Sequence, residues 1–511
     1  MFNKVISGTL HGVDGRLIVV EADVSDGLPM FNMVGFLASE VREASDRVRT
    51  ALKNSDFHFS PKKITINLSP ADVRKEGSAF DLPISIALLS AYGYIPADCV
   101  RDILFIGELS LNGDLKGVRG ILSIVDHAKK QGIYKVILPF DNRKEAAIIP
   151  DVEVYGARNL KEAVEHLIGN KLLIKEEHTG FDDSSSFEYT IDFSDVKGQN
   201  SMKRATEIAV AGMHNLLFVG PPGAGKSMIA KRIPTIMPEL DHDESVELTK
   251  IYSAKGMLSP EQGLIRSRPF RTPHHSITAQ SLIGGGMIPK PGEISLSHHG
   301  VLFLDEMLEF NKNTLEMLRQ PIEDGRVTIS RIQGSYTFPC NFMLVAAMNP
   351  CPCGYYPDRS KCHCTIPQIE RYIRRLSQPM LDRMDMCLQV KRIEYKDLCG
   401  RQKEETSGDI KKRIVHAKDI QRKRLIKLGV NCNSQIPPKE LNSICMLGEE
   451  EVKLIEEMFE KLELTARGMN KILKVSRTIA DLDDSEEVTR NHILEALSYR
   501  INDFMRGEEG L

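Results

Sequence analysis

Gly220-Pro221-Pro222-Gly223-Ala224-Gly225-Lys226-Ser227 satisfies G-x-x-x-x-G-K-[ST] at every fixed position. That pattern needs a strand before it and a helix after it. The apolar run Leu216-Leu217-Phe218-Val219 reads as the strand, and Met228-Ile229-Ala230 opens the helix. The glycines let backbone N–H groups turn inward around a polyphosphate, and the helix N-terminus adds partial positive charge. Lys226 then reaches the β- and γ-phosphates, and Ser227 holds Mg²⁺. A second segment supplies the other half. Gly300-Val301-Leu302-Phe303-Leu304-Asp305-Glu306 reads as a buried strand ending in two carboxylates. Asp305 is placed to bind Mg²⁺, directly or through water, and Glu306 to polarise an attacking water. Together they predict an α/β core that binds and hydrolyses a nucleoside triphosphate.

A chain of 511 residues suggests about three domains. Its apolar fraction of 41% and charged fraction of 27% are those of a globular protein, and the net charge of −3 gives no global basic field for nucleic acid. Contacts to DNA must then come from local patches. The first eight residues carry no apolar core of signal-peptide length, and the longest apolar stretch, 82–91, is too short for a bilayer. We therefore expect a cytoplasmic protein with no membrane contact. Its ten cysteines are then expected as thiols or metal ligands rather than disulfides.

Residues 1–170 read as one α/β unit, with strands at 17–22, 64–68 and 134–139. Positions 41, 44, 48, 51 and 52 mark one face of a helix. The polar, Ser-rich stretch 171–188 reads as a linker. The nucleotide-binding unit is expected over 189–393 and a helical unit over 394–511. Residues 410–428 form a strongly basic helix candidate, either a solvated face or a DNA contact. There is no sequence repeat.

Three more groups fit the core. Asn349 ends the apolar run 344–348 and would orient water between the carboxylates and the γ-phosphate, unless it only initiates a turn before Pro350. Arg383 stands at an expected helix end. It would reach a neighbouring subunit's γ-phosphate, or else form a local ion pair with an aspartate. Arg467, opening a late helix, would fold back over the nucleotide. This order resembles the AAA+ ATPases, in particular the magnesium-chelatase-like branch. Asp195-Val196-Lys197-Gly198-Gln199, Arg268-Pro269-Phe270-Arg271-Thr272-Pro273-His274-His275, Gly284-Gly285-Gly286, Pro291-Gly292-Glu293-Ile294-Ser295-Leu296 and Leu318-Arg319-Gln320-Pro321-Ile322-Glu323-Asp324-Gly325 resemble the ComM/YifB family over nearly the whole chain. That resemblance implies a homo-hexameric ring with ATP at subunit interfaces. It makes Arg383 the finger in trans, Asn349 sensor 1 and Arg467 sensor 2. It also implies a DNA motor for branch migration in recombination or natural transformation.

The segment 326–338 reads as a β-hairpin turning at Gln333-Gly334-Ser335. By the same resemblance it lines a central pore, with 281–291 as a second pore loop. Lys290 and Arg331 would track a phosphate backbone and Tyr336 would stack on bases of branched or single-stranded DNA; the alternative is an ordinary edge hairpin. Cys351, Cys353, Cys362 and Cys364 give C-x-C-x₈-C-x-C, either a tetrahedral Zn²⁺ site or free thiols. The adjacent pairs His274-His275 and His298-His299 read as structural, since neighbouring side chains point apart.

Lys75-Glu76-Gly77-Ser78-Ala79-Phe80-Asp81 and 107–139 resemble the Lon-type protease fold, in the ribosomal S5 domain 2-like class. Ala79 falls where the Lon nucleophile stands and Leu122 where its lysine stands, so a non-catalytic domain is expected. The competing functions are a chelatase-type or other protein-remodelling ATPase, an ATP-dependent protease, and an assembly module without translocation.

Overall fold

The computed structural model describes residues 1–178, 180, 189–261, 263–331, 334–392 and 404–500. Half of the expected linker (179 and 181–188), the hairpin residue Gln333, the boundary at 393–394 and the tail 501–511 lie outside the described residues. No helix among the described residues is long and apolar enough to cross a membrane.

The chain opens with a seven-stranded sheet in the order Met30–Val34, Lys63–Ser69, Asp14–Ser25, Phe2–His11, Ile103–Phe105, Lys135–Pro139, Glu153–Ala157. Phe2–His11 pairs antiparallel with Asp14–Ser25 along its whole length, and the last three strands run parallel. Burial alternates along Asp14–Ser25, as period-two side chains on a covered face require. The helix Asp81–Ala91 is buried at every residue. A helix enclosed on all sides needs apolar residues all round, not one stripe. The helix expected near 41–52 is split at Glu43 into Ser39–Arg42 and Ala44–Asn54, yet Val41, Ala44, Val48, Ala51 and Leu52 are all buried. Residues 171–178 are not free of this unit: the Glu176 N–H donates to the Val154 carbonyl at 2.9 Å.

A second, five-stranded sheet is parallel throughout, in the order Phe270–Arg271, Val301–Leu304, Met343–Met348, Leu216–Val219, Met386–Gln389. Its three central strands are buried at every residue, the mark of a parallel sheet covered on both faces. The strand ending at Met348 lies between those ending at Leu304 and Val219. Their carboxyl ends, and the loops that follow, therefore meet on one edge, where open parallel sheets bind ligands.

Beyond residue 404 the described chain is helical: Ser407–Leu425, Leu441–Cys445, Glu449–Lys461, Ala466–Leu482 and Arg490–Ser498, with short 3₁₀ turns. Ile410, Ile414, Leu473 and Ile479 join Phe218, Ile229 and Val345 in one apolar core, so these helices and the parallel sheet form a continuous body. The expected basic helix is Ser407–Leu425. Much of its charge is paired within the chain: Lys411 with Glu239 at 2.9 Å, Arg413 with Glu207 at 2.5 Å and Arg424 with Asp481 at 2.6 Å.

The helix His242–Lys255 docks the parallel-sheet unit onto the first unit. Its Ser253 hydroxyl donates to the buried Glu145 carboxylate and accepts from the Gly120 N–H at 2.9 Å. Lys250 pairs with Asp126 at 2.7 Å. Leu264 and Val246 complete the apolar cluster that holds Leu122 and Ala79.

Candidate nucleotide-binding site

The strand Leu216–Val219 runs into a loop whose Gly223 and Gly225 have φ of 75° and 87°. That left-handed region is open to glycine at little cost. A Cβ on either would meet nothing within 4 Å, so it is the backbone conformation and not crowding that calls for glycine there. The helix Lys226–Ile236 starts directly after it, with Gly225 at its N-cap and its free N–H groups facing the loop. Lys226 is buried and donates from Nζ to the carbonyls of Gly220 at 2.5 Å and Pro221 at 2.9 Å, and to Asn349 Oδ1 at 3.3 Å. Burial lowers its pKa, while Asp305 and Glu306 pull it back up. The Ser227 hydroxyl donates to Asp305 Oδ2 at 2.7 Å. A hydroxyl and a carboxylate in contact beside a phosphate cradle are the hard-oxygen donor set that Mg²⁺ prefers.

Glu306 follows at φ 50°, and its backbone N–H donates to Asp305 Oδ1 at 3.0 Å. Its side chain is 60% exposed, with His275 Nδ1 4.0 Å from the carboxylate. Gln199, also at positive φ, donates from its side chain to the carbonyls of Ala224 at 3.2 Å and Lys391 at 3.0 Å, tying the phosphate loop to the segment after the adjacent edge strand. Sequence reasoning gave neither His275 nor Gln199 a place at this site, although both lie in segments that carried the family resemblance.

Gly220 to Ser227, Asp305, Glu306 and Asn349 thus come together in one site. Arg383 and Arg467 do not hydrogen-bond to the phosphate loop. Arg383 pairs with Glu323 and donates to the Pro379 carbonyl at 2.8 Å, the local ion pair weighed above, with a glutamate in place of an aspartate. Arg467 is exposed and lines a cleft with Asp382, Asp385 and Lys471.

The hairpin pairs Arg326–Arg331 with Gly334–Pro339. Gly334 and Ser335, expected in its turn, lie in the second strand opposite Arg331 and Ser330. Tyr336 corrects an expectation. It is only 6% exposed, and its ring stacks on His11 with centroids 4.5 Å apart, so it presents no face to a base. Alternation sends Tyr336 inward with Phe338 while Ser335 and Thr337 face out. Arg331 is exposed beside Gly285, and Gly285 pairs with Lys290. Burial, then repulsion from Arg119 and Lys255, lower the pKa of Lys290. Lys290 thus lies near Arg119 and Lys255, while Glu293 acts on Lys255 with the opposite sign. Arg119 and Lys255 were invisible as neighbours because they come from segments distant in sequence.

The four clustered cysteines keep their ligating atoms within 4.8 Å of one another. The rings of His298 and His299 do not point apart as expected: their centroids lie 3.8 Å from each other. His298 and His299 both reach Glu247 Oε2, at 3.1 and 3.0 Å, because His299 has a φ of 56° and turns its ring alongside that of its neighbour. His298 Nδ1 accepts the Asn341 N–H at 2.9 Å, which puts the proton of the neutral ring on Nε2, facing the carboxylate. The trio is thus a hydrogen-bonded clamp on the helix His242–Lys255, and the two imidazoles hold the Glu247 carboxyl well below its usual range.

A parallel sheet with a glycine loop, lysine and serine after one strand and paired carboxylates after another defines a P-loop nucleoside-triphosphatase core. The family model described as magnesium chelatase, subunit ChlI, matches residues 192–398, and its C-terminal counterpart matches 404–500. A further model, subunit ChlI of Mg-chelatase, matches 20–142. The chain is 40% identical to competence protein ComM of Haemophilus influenzae over 505 residues, 97% of each chain. It is 43% identical to YifB of Escherichia coli over 496 residues, 96% of each. A partial match, 25% identical over 173 residues, is to Lon protease 2 of Bacillus subtilis. The chain belongs to the ComM/YifB family of magnesium-chelatase-like AAA+ ATPases.

Proposed function

We propose that the protein is a Mg²⁺-dependent ATPase that works as a ring, a homo-hexamer, and drives DNA through branch migration. The supporting observation is the meeting of Lys226, Ser227, Asp305, Glu306 and Asn349 at the carboxyl ends of three adjacent parallel strands. In this reading Lys226 exchanges its present carbonyl partners for phosphate oxygens. Ser227 and Asp305 hold the metal, whose charge neutralises the polyphosphate. Glu306, exposed and carried on strained backbone, takes a proton from water, and Asn349 positions that water. Arg383 would leave Glu323 to reach a neighbour's nucleotide, and Arg467 would close from the helical unit.

The DNA part of the reading is supported by Lys290 lying near Arg119 and Lys255, by the exposed Arg331 beside Gly285, and by likeness to a protein named for competence. Residues 1–170 are read as a Lon-type domain without catalysis, since Ala79 and Leu122 share an apolar cluster closed by Leu264. The alternative is a chelatase-type or protein-remodelling ATPase. It is favoured by the self-paired charges of the helix Ser407–Leu425.

The deciding measurement is ATP turnover with single-stranded, duplex and four-way-junction DNA at two salt concentrations. Stimulation that is largest on the junction and falls with salt is expected. Combined Lys290→Ala and Arg331→Ala substitution should lower the salt slope by about 0.9 for each phosphate the protein no longer neutralises. Turnover that ignores DNA at both salt concentrations would sink the motor reading and leave protein remodelling.

A further inference from the structure

Residues 351–364 leave the end of the sensor strand and reach the helix Ile366–Ile373 with no helix or strand between. The loop has little of its own to fold around. Its apolar cluster is Ile369, Ile373 and Tyr356 with the cysteines themselves. Segments with so small a core are usually stapled by a disulfide or a metal. The cysteines here are unbonded thiols.

The sulfur positions match one kind of staple. Cys351 Sγ lies 3.3 Å from Cys353 Sγ and 3.7 Å from Cys362 Sγ, and all four sulfurs fall within 4.8 Å of one another. Four thiolates around zinc at a bond length of about 2.3 Å would be spaced about 3.8 Å apart along each tetrahedral edge. An iron–sulfur cluster places several atoms between its cysteines and so holds them farther apart. The surroundings are those of a thiolate site. The Tyr356 N–H points at Cys351 Sγ at 3.4 Å. Turn hydrogen bonds from Gly354 N–H to the Cys351 carbonyl and from Cys362 N–H to the Asp358 carbonyl set both pairs, and Arg359 donates to the Cys364 carbonyl at 2.8 Å.

The loop also rests on the nucleotide site. It begins one residue after Pro350, the neighbour of Asn349. Gly354, at φ 85°, comes so close to the phosphate loop that a Cβ there would sit 2.7 Å from Pro222 Cδ and 3.8 Å from Asn349 Cγ. We propose that Cys351, Cys353, Cys362 and Cys364 bind one zinc ion, and that the resulting knuckle is a positioning element holding Asn349 against the phosphate loop through the Gly354–Pro222 contact. The second half rests on the nucleotide reading of that site; the first half does not.

Elemental analysis of the full-length protein, purified without added metal, should give one zinc per chain. Substoichiometric zinc with all four thiols open to modification, or iron in its place, overturns the metal assignment. Cys362→Ser should lose the zinc and weaken binding of a fluorescent ATP analogue by about tenfold, while Cys362→His, which keeps a zinc ligand, restores both. Gly354→Ala should keep the zinc yet show the same weakened binding together with a lower kcat, because Asn349 positions the attacking water. Unchanged nucleotide affinity in zinc-free Cys362→Ser overturns the positioning role. A zinc-loaded wild-type protein that binds no ATP analogue sinks the nucleotide reading and leaves the zinc site standing.

Discussion

Glu306 occupies a backbone region that costs a non-glycine residue about 1–2 kcal/mol. A residue held there at the end of a strand turns its side chain out of the strand's alternation and into the space above the sheet. Asp305, one residue earlier, stays anchored by Ser227 and by the Glu306 N–H. In the proposed mechanism the two carboxylates take different tasks: one is fixed for a cation, the other is free to meet water. Glu306→Gln removes the base and keeps the shape. Steady-state ATP turnover should fall by about 10²–10⁴-fold with nucleotide affinity retained. A loss below about fivefold would remove Glu306 from the chemistry. At this scale Gly220 to Ser227, Asp305 and Glu306 were legible because backbone geometry and metal chemistry allow few residue types there. The exposure of Tyr336 and the ring directions of His298 and His299 were misread for the opposite reason. Which side of a hairpin faces a neighbouring domain, and whether a residue adopts positive φ, is set by packing.

The sheet elements were readable as apolar runs, since parallel strands covered on both faces need nothing else. Where helices meet, buried polar groups decide the joint. His214 follows the helix Asn200–Gly212, is fully buried, and shares a hydrogen bond with Thr478 of the helix Ala466–Leu482 at 2.8 Å. Burial pushes its pKa down to about 4 from 6.5, against the pull of Asp385. A histidine depressed in the folded state binds fewer protons than the unfolded chain does. Its contribution is complete above pH 6.5 and is lost as pH falls toward 4. Unfolding midpoints measured from pH 7 to 4 should drop more steeply for wild type than for His214→Gln. The difference is worth at most about 3 kcal/mol. Parallel curves would show that the ring titrates alike in both states. The break of the early helix at Glu43 was not legible, because an unbroken apolar face looks the same with or without a kink.

At the scale of the whole molecule, one helix connects two units. His242–Lys255 carries Glu247, clamped by the histidines just before the strand that leads to Asp305, and Ser253, locked to Glu145 and Gly120 of the first unit. Ser253→Ala leaves a buried carboxylate and a buried N–H without that partner, at a cost of about 1–3 kcal/mol. Hydrogen exchange at residues 120–125 should speed by about ten- to a hundredfold, since 1.4 kcal/mol is one factor of ten. Unchanged exchange would mean that the apolar contacts of Leu264 and Val246 alone hold the units together. The sequence by itself determined where the phosphate-loop motif, the two carboxylates and the cysteine spacing fall, because the roles proposed for them tolerate few substitutes. Only the tertiary structure decided that Asn349 meets Lys226, that Gly354 rests on Pro222, that Arg119 joins Lys290, and that Tyr336 is hidden. Each of these joins segments far apart along the chain, and such contacts are fixed by how buried surfaces fit together, which leaves no local pattern in the residues involved.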